Sequence, residues 1–408
     1  MKVAVGLFQI PSMQPSEAHL SAHDWRNPRL NGRIPELDGV RGLAILLVLI
    51  EHYIRDAARI PLTRLESWAL VPFRLAWSGV DLFFVLSGFL IGGILLDART
   101  AENYYTTFYG RRFFRIFPLY YLWLGIFLVL LTLTSAIHTG LFIHAGVLHT
   151  LFNSDLPLWS YPFFVQNFAI ALHGTTGAMW LGITWSLAVE EQFYLLLPLA
   201  IRNLTTKGVL RLVCGSIAIA PVLRVVFLRL SSGYLPSYTL LPCRADALGY
   251  GVLIAIIVRS KRAWNWIASH RAPLYGAFFV LGVGVCLLTK LPFASPLFMG
   301  LGFSMLGAFY AVLLLLVIVN PGPGEILLFR WKPLMRLGQV AYAVYIFHAG
   351  ISFLVHGIIL GREPIVDGWT SLVVSALSLA MVLLLAITSW RLMERPLIRH
   401  AHARFRYS

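Results

Sequence analysis

The sequence has few charged residues, and acidic residues are the scarcest of them. Asp, Glu, Lys and Arg make up 12% of its 408 residues, against about 25% in an average soluble domain. Hydrophobic residues account for 58%, with 27 Phe and 12 Trp. This composition excludes an ordinary soluble globular domain and predicts a polytopic membrane protein.

Cysteine is also scarce, and no metal-binding pattern is present. Cys214, Cys243 and Cys286 lie within or beside apolar segments and show neither disulfide nor metal-ligand spacing. His19 and His23 have the spacing of a zinc pair, but the surrounding stretch supplies no further ligands. The sequence therefore predicts no metal site.

The N-terminus lacks the long apolar run of a signal peptide. Its short run from Val3 to Phe8 is followed directly by a polar stretch that contains prolines. We therefore expect residues 1–35 to form a mostly irregular cytoplasmic arm. A transmembrane domain over residues 36–396 and a basic cytoplasmic tail over residues 397–408 are expected to follow.

Ten apolar segments can supply the roughly 20 residues that a spanning helix needs. They are residues 37–55, 76–96, 114–135, 185–201, 210–228, 242–258, 273–290, 297–319, 337–359 and 369–390. A further apolar region, residues 138–172, is interrupted by Pro157 and Pro162, and we expect it to be re-entrant or to lie on the membrane surface. The predicted fold is an all-α bundle of about ten transmembrane helices around a central polar cavity.

The net charge of +15 is spread over short basic clusters between the apolar segments. Such clusters are typical of topology signals and argue against a nucleic-acid-binding patch. Most of the 33 Lys and Arg residues lie on one side if the N-terminus is inside. Both termini are therefore expected to be cytoplasmic.

The first apolar segment carries two ionisable residues on one face. Arg41 and His52 are eleven residues apart, or about three helical turns and 16 Å. Ionisable side chains within a membrane helix usually face a functional cavity. Other polar residues fall at similar outer depths in later segments, namely Asp81, Glu190, Glu191, Asp246 and His348. We expect these residues to converge on an outward-tilted cavity with basic residues beneath it.

Seven short segments resemble, in order, the membrane-bound acyltransferase 3 family. They are E-L-D-G-V-R-G-L-A-I-L-L-V-L-I-E-H (36–52), V-D-L-F-F-V-L-S-G-F-L-I (80–91), Y-G-R-R-F-F-R-I-F-P-L-Y-Y-L (109–122), T-W-S-L-A-V-E-E-Q-F-Y-L-L-L-P (184–198), R-A-D-A-L-G-Y-G (244–251), A-Y-A-V-Y-I-F-H (341–348) and M-E-R-P (393–396). The resemblance implies an acyl-CoA-dependent O-acyltransferase, most often an acetyltransferase, in the bacterial inner membrane. The family's Arg-(ten residues)-His element corresponds to Arg41 and His52. The extracytoplasmic SGNH-type domain that many members carry is not expected here.

The chemistry of acyl transfer gives His52 a role. A base must take the proton of the acceptor hydroxyl, and an imidazole is suited to this at neutral pH. Asp81 or Glu190 could orient its ring, and the sequence does not choose between them. The alternative is that His52 is only an interfacial side chain that extends toward water.

Coenzyme A carries several phosphate charges, so its site should offer guanidinium groups. Arg41, Arg111, Arg112 and Arg115 are the candidates at the cytoplasmic side. For the group from 111 to 115, an equally good interpretation is a plain positive-inside anchor.

Candidates for substrate contacts are Trp185, Tyr194, Arg244, Asp246 and His348. Ser186, Glu190 and Tyr194 recur every four residues and form one polar stripe, which indicates either interhelical hydrogen bonds or a role in binding the acceptor or tuning His52. Arg244 and Asp246 could instead form a local ion pair, and His348 could be a packed core histidine.

Two other functions and several acceptors remain open at the sequence level. A secondary transporter would favour inverted repeats, and no internal similarity is evident. A scaffold that binds an acyl donor without turnover is disfavoured by the intact Arg41 and His52. The preferred acceptor is a cell-surface or lipid-linked carbohydrate, and the alternative is a macrolide or another small glycoside. The sequence does not specify the acyl chain length or the oligomeric state.

Overall fold

The computed structural model describes residues 30, 32, 34–55, 71–136, 151–152, 155–319 and 321–408. Within these residues the chain folds into α-helices and contains no β-strand. Nearly all of the expected N-terminal arm, residues 1–35, lies outside the described residues. The predicted all-α polytopic fold is confirmed.

Helices follow one another with short connections. They are α1 Glu36–Ile50, α2 Gly79–Asp97, α3 Tyr104–Ala136, α4 Gln166–His173, α5 Trp185–Asn203, α6 Thr206–Leu230, α7 Leu235–Thr239, α8 Leu241–Ile257, α9 Lys261–Ser269, α10 Arg271–Leu288, α11 Phe303–Ile318, α12 Pro323–Phe329, α13 Lys332–Gln339, α14 Ala341–Leu360, α15 Trp369–Ser389 and α16 Arg395–Arg404. Wider π-helical turns occupy Glu51–Arg55, Phe298–Gly302 and Trp390–Glu394, and 3-10 turns occupy Val71–Ser78, Leu158–Ser160 and Gly182–Thr184.

Among the described residues, eight helical stretches are long and apolar enough to cross a membrane. They are Leu75–Asp97, Tyr104–Leu133, Thr206–Leu230, Leu235–Ile257, Arg271–Leu288, Phe298–Ile318, Ala341–Leu360 and Trp369–Arg404. Each corresponds to one of the ten predicted segments. The other two predicted segments are the helices α1 and α5, which carry more charged side chains. The same two helices hold Arg41, His52 and Glu190, so polarity at the candidate site is what sets them apart.

Helix α1 lies in the interior of the bundle. Val40, Ala44 and Ile45 are fully buried, and α1 packs against α2, α12, α13 and α14. The α1–α13 contact is a backbone-to-backbone approach, because a Cβ at Gly42 would collide with the Leu334 carbonyl. Small residues permit such close packing of helices in membranes. The close packing fixes the position of the helix that leads to His52.

The region from 138 to 172 contains no spanning helix in its described part. Its longest described element is α4, with eight residues, and a 3-10 turn precedes it. Trp159 and Phe163 are exposed there, whereas Gln166 and Asn167 are buried. This pattern agrees with the expectation that the region makes no crossing. Residues 137–150 and 153–154 lie outside the described residues.

The C-terminal residues pack against the start of α3. Helix α15 continues through a π-helical turn into α16, which ends at Arg404. Beyond it, the Glu102 amide donates to the Ser408 carbonyl at 2.9 Å. The expected tail, residues 397–408, is therefore ordered against the same end of the bundle that holds Arg41.

Candidate active site

His52 lies in the wall of a cavity of about 840 Å³. It sits in the π-helical turn that follows α1, and such turns are frequent at functional sites. Its Nδ1 lies 2.9 Å from the Val48 carbonyl oxygen. Because a carbonyl only accepts hydrogen bonds, Nδ1 carries the proton in the neutral ring, and the lone pair is on Nε2. The free nitrogen is the one a general base requires.

Aromatic side chains form most of the cavity wall around His52. Trp77, Trp185, Tyr238 and Phe293 all line the cavity. Trp185 packs on Tyr238 with ring centroids 4.7 Å apart, and Trp77 meets Phe293 edge to face at 5.6 Å. Apolar walls with a few converging polar groups are typical of small-molecule sites. The predicted substrate contact Trp185 is thus placed beside the candidate base.

The loop between α14 and α15 forms part of the cavity rim. Its Glu363 lines the cavity, and Arg362 forms an ion pair with Asp367 across the loop. Hydrogen bonds from Arg362 and Ser371 lower the pKa of Asp367 to about 2. Because the folded pKa is depressed, the contribution to stability is present above the unfolded value near 4 and is lost as the pH falls toward 2. The rim therefore stays paired throughout the neutral range.

A second histidine lies directly against His52. The rings of His52 and His348 meet edge to face, with centroids 4.8 Å apart. His348 is fully buried, and its Nδ1 lies 2.7 Å from the Tyr345 carbonyl oxygen. By the same argument its lone pair is on Nε2, which has no hydrogen-bond partner among the described residues. The structure thus brings together two predicted site residues that are nearly 300 positions apart.

Three arginines gather on the opposite side, at the N-terminal part of α1. Arg41 interacts electrostatically with Arg115 of α3 and with Tyr194 of α5. Arg112 lies over the Tyr194 ring, 6.0 Å from its centroid, and its buried Nε has no hydrogen-bond partner in the described part of the chain. Like charges held this close favour the binding of an anion. We call Arg41, Arg112 and Arg115 the arginine cluster.

Arg111 does not belong to this cluster. Its Nε donates to the Phe405 carbonyl at 2.8 Å, and its guanidinium lies 5.1 Å from the Tyr407 ring centroid. The C-terminal residues therefore occupy this side chain. The sequence did not separate Arg111 from Arg112, because neighbouring positions on a helix differ in direction by about 100° only once the helix has begun.

The polar stripe of α5 makes interhelical hydrogen bonds at both ends. The hydroxyls of Ser186 and Tyr345 are 2.6 Å apart, and those of Tyr194 and Ser87 are 2.7 Å apart. Glu190 lies between these ends and interacts with Ser87, Arg112 and Arg115. Tyr194 and Glu190 therefore adjoin the arginine cluster, and the group that orients His52 is the Val48 carbonyl.

Asp81, the other carboxylate proposed to orient His52, is engaged elsewhere. Its Oδ1 accepts a hydrogen bond from Arg244 at 2.5 Å, and both side chains are buried. The expected local pair between Arg244 and Asp246 is wrong, because Asp246 pairs with Arg224 of α6 at 2.8 Å. Two ion pairs thus link α8 to α2 and to α6.

Arg224 is a residue that the sequence analysis did not assign to any site. It is fully buried and donates to Asp246, to Ser304 and to the carbonyls of Cys243, Met299 and Gly300. An arginine within an apolar helix requires a buried counter-charge, and this was the available signal. Tyr345, three residues before His348, and Glu51, next to His52, are further cavity residues that the candidate set lacked.

Comparison with known proteins gives one family and several relatives. The family described as acyltransferase domain matches residues 34–391. Peptidoglycan O-acetyltransferase OatA of Listeria monocytogenes is 25% identical over 381 residues, which cover 89% of this chain and 56% of that protein. Putative peptidoglycan O-acetyltransferase YrhL of Bacillus subtilis is 26% identical over 341 residues, covering 79% of this chain and 49% of that protein. O-acetyltransferase OatA of Staphylococcus aureus is 25% identical over 396 residues, covering 92% and 58%.

The chain spans about half the length of these relatives. No solved structure was found that matches it.

Proposed function

Because the chain belongs to the acyltransferase family that matches residues 34–391, we propose that it is a membrane O-acetyltransferase that acts on a cell-wall carbohydrate. The observation that carries this proposal is the arrangement of His52, whose Nδ1 faces the Val48 carbonyl so that Nε2 is left as a base in the cavity wall. The relatives named above are O-acetyltransferases, and two of their names specify peptidoglycan.

In this proposal His52 moves one proton during transfer. Its Nε2 takes the hydroxyl proton as the acceptor oxygen bonds to the acyl carbon of the thioester. The carbon–sulfur bond then breaks, and His52 returns the proton to the leaving thiolate. The Val48 carbonyl holds the ring in the required tautomer and stabilises the imidazolium between the two steps.

The arginine cluster is the proposed site for the phosphates of an acyl-CoA donor. Guanidinium groups bind phosphate through paired, charge-assisted hydrogen bonds, and the buried Nε of Arg112 is without a partner in the described residues. Arg41 and His52 are about 16 Å apart along the helix. The extended arm of coenzyme A would bridge this distance and bring the thioester to His52.

The two ends of α1 would then face opposite sides of the membrane. The excess of Lys and Arg on the Arg41 side favours a cytoplasmic position for that end in a bacterial inner membrane. The cavity around His52 would open to the outside, where a cell-wall carbohydrate is found. Its aromatic walls offer flat apolar surfaces on which sugar rings can stack.

Acetyl-CoA binding and slow thioester cleavage by the detergent-purified protein test this proposal. We expect His52→Gln to lower cleavage by about 10²- to 10⁴-fold, the usual contribution of general base catalysis, without weakening binding. Arg41→Gln and Arg112→Gln should weaken binding by about tenfold or more, because each removes a charge-assisted hydrogen bond.

Arg111→Gln is the matched control, since this side chain faces the C-terminal residues. It should bind acetyl-CoA as the wild type does. Equal losses of binding for Arg111→Gln and Arg112→Gln would contradict the assignment of the arginine cluster. Cleavage that survives in His52→Gln would contradict the assigned base.

A further inference from the structure

A second cavity of about 450 Å³ lies on the lipid-facing side of the bundle, between α10 and α11. Phe278, Val283, Leu287 and Phe309 line it, and its polar contribution is a single lysine, Lys290. Leu287 and Val283 are exposed on the surface of a spanning helix, where a membrane surrounds them. We call this cavity the lipid-facing groove.

A glycine keeps the lipid-facing groove open. Gly282 lies in its wall, and a Cβ there would come within 3.3 Å of the Phe309 ring. Any larger side chain at this position would enter the space between α10 and α11. One turn and a half earlier on the same helix, a Cβ at Gly276 would meet nothing within 4 Å.

The lipid-facing groove adjoins the His52 cavity at two places. In the 3-10 turn before α2, Leu75 lines the groove and Trp77 lines the cavity. After α10, Lys290 lines the groove, while its chain neighbours Thr289 and Leu291 line the cavity. Lys290 thus stands between an apolar channel and the candidate base.

We propose that the lipid-facing groove holds the hydrocarbon chain of a lipid-linked sugar, the acceptor of the reaction. The phosphate of this acceptor pairs with Lys290, and its sugar enters the aromatic cavity beside His52. Lys290 is the only charged residue in the connection from 289 to 297, at the depth where lipid phosphates lie. The inference rests on the proposed function and specifies its acceptor.

A photo-crosslinking experiment tests this proposal on the full-length protein in nanodiscs. The probe is a prenyl phosphate that carries N-acetylglucosamine on the phosphate and a diazirine on the chain; a prenyl alcohol with the same diazirine is the neutral comparison. We expect adducts with the sugar-bearing probe on residues 278–290 and near Phe309. Lys290→Gln should lower labelling about fivefold, the effect of one interfacial lysine on an anionic lipid.

Gly282→Leu should abolish labelling in the groove, and Gly276→Leu should leave it unchanged. The prenyl alcohol should label weakly and equally in wild type and Lys290→Gln. Labelling that ignores the phosphate, Lys290 and Gly282 would overturn the proposal and show that bulk lipid alone fills the groove.

Acetyl-CoA cleavage in the same preparations separates the two proposals. Normal His52-dependent cleavage together with no specific labelling would refute the acceptor assignment and leave the proposed function standing. Absence of cleavage in the wild type would refute the proposed function, whatever the labelling shows.

Discussion

At the scale of the residue, the two histidines show how backbone geometry prepares a side chain for chemistry. His52 and His348 each direct Nδ1 to a carbonyl of their own helix, which leaves both Nε2 atoms as acceptors. The spacing of Arg41 and His52 correctly predicted that one helix carries both. The sequence could not reveal the Val48 contact, because any carboxylate of similar depth was an equally good partner for the ring.

Substitutions at His348 distinguish a positioning residue from simple packing. His348→Asn can keep the bond to the Tyr345 carbonyl but lacks an acceptor at the Nε2 position, whereas His348→Gln can place an oxygen there. We expect Asn to lower kcat for acetyl transfer about tenfold or more and Gln to restore part of it, with KM for acetyl-CoA unchanged in both. Steady-state kinetics of the two variants checks this, and equal losses in both would indicate packing alone.

At the scale of the element, helices were predictable where apolar length alone defines them. The segments that became α2, α6, α10 and α15 followed from hydropathy. Pairing between helices did not follow, because partners such as Asp81 and Arg244 are 163 positions apart and several arginines could have served. The π-helical turn at Phe298–Gly302 was also unpredictable, although it presents the Met299 and Gly300 carbonyls to Arg224.

The ion pair between α2 and α8 should be important for stability. Asp81→Asn leaves Arg244 buried without its counter-charge, and breaking a buried pair in this way costs about 3–5 kcal/mol. Asp97→Asn on the same helix is the control, since its pair with Arg259 is largely exposed and such pairs contribute about 0–1 kcal/mol. Thermal unfolding in detergent measures both, and a loss for Asp81→Asn no larger than that for Asp97→Asn would refute the structural role.

At the scale of the whole molecule, the candidate site has two ends joined by α1. The arginine cluster lies at one end, and the aromatic cavity with His52 lies at the other. Charge counting along the sequence predicted this polarity, because topology depends on composition of the loops and not on contacts. The cavity walls were beyond prediction, since Trp77, Tyr238, Phe293 and Tyr345 come from four separate parts of the chain.

The central claim is that the acyl group passes from a donor on the Arg41 side to an acceptor on the His52 side. Sealed proteoliposomes with a known protein orientation test it directly, with protease access to a tag at the N-terminus reporting the orientation. Acetyl-CoA, which does not cross the bilayer, is supplied to one face at a time. We predict that free coenzyme A appears only when the donor is supplied to the face of the N-terminus, and that His52→Gln abolishes it. Release of coenzyme A only from donor supplied to the opposite face would contradict the account.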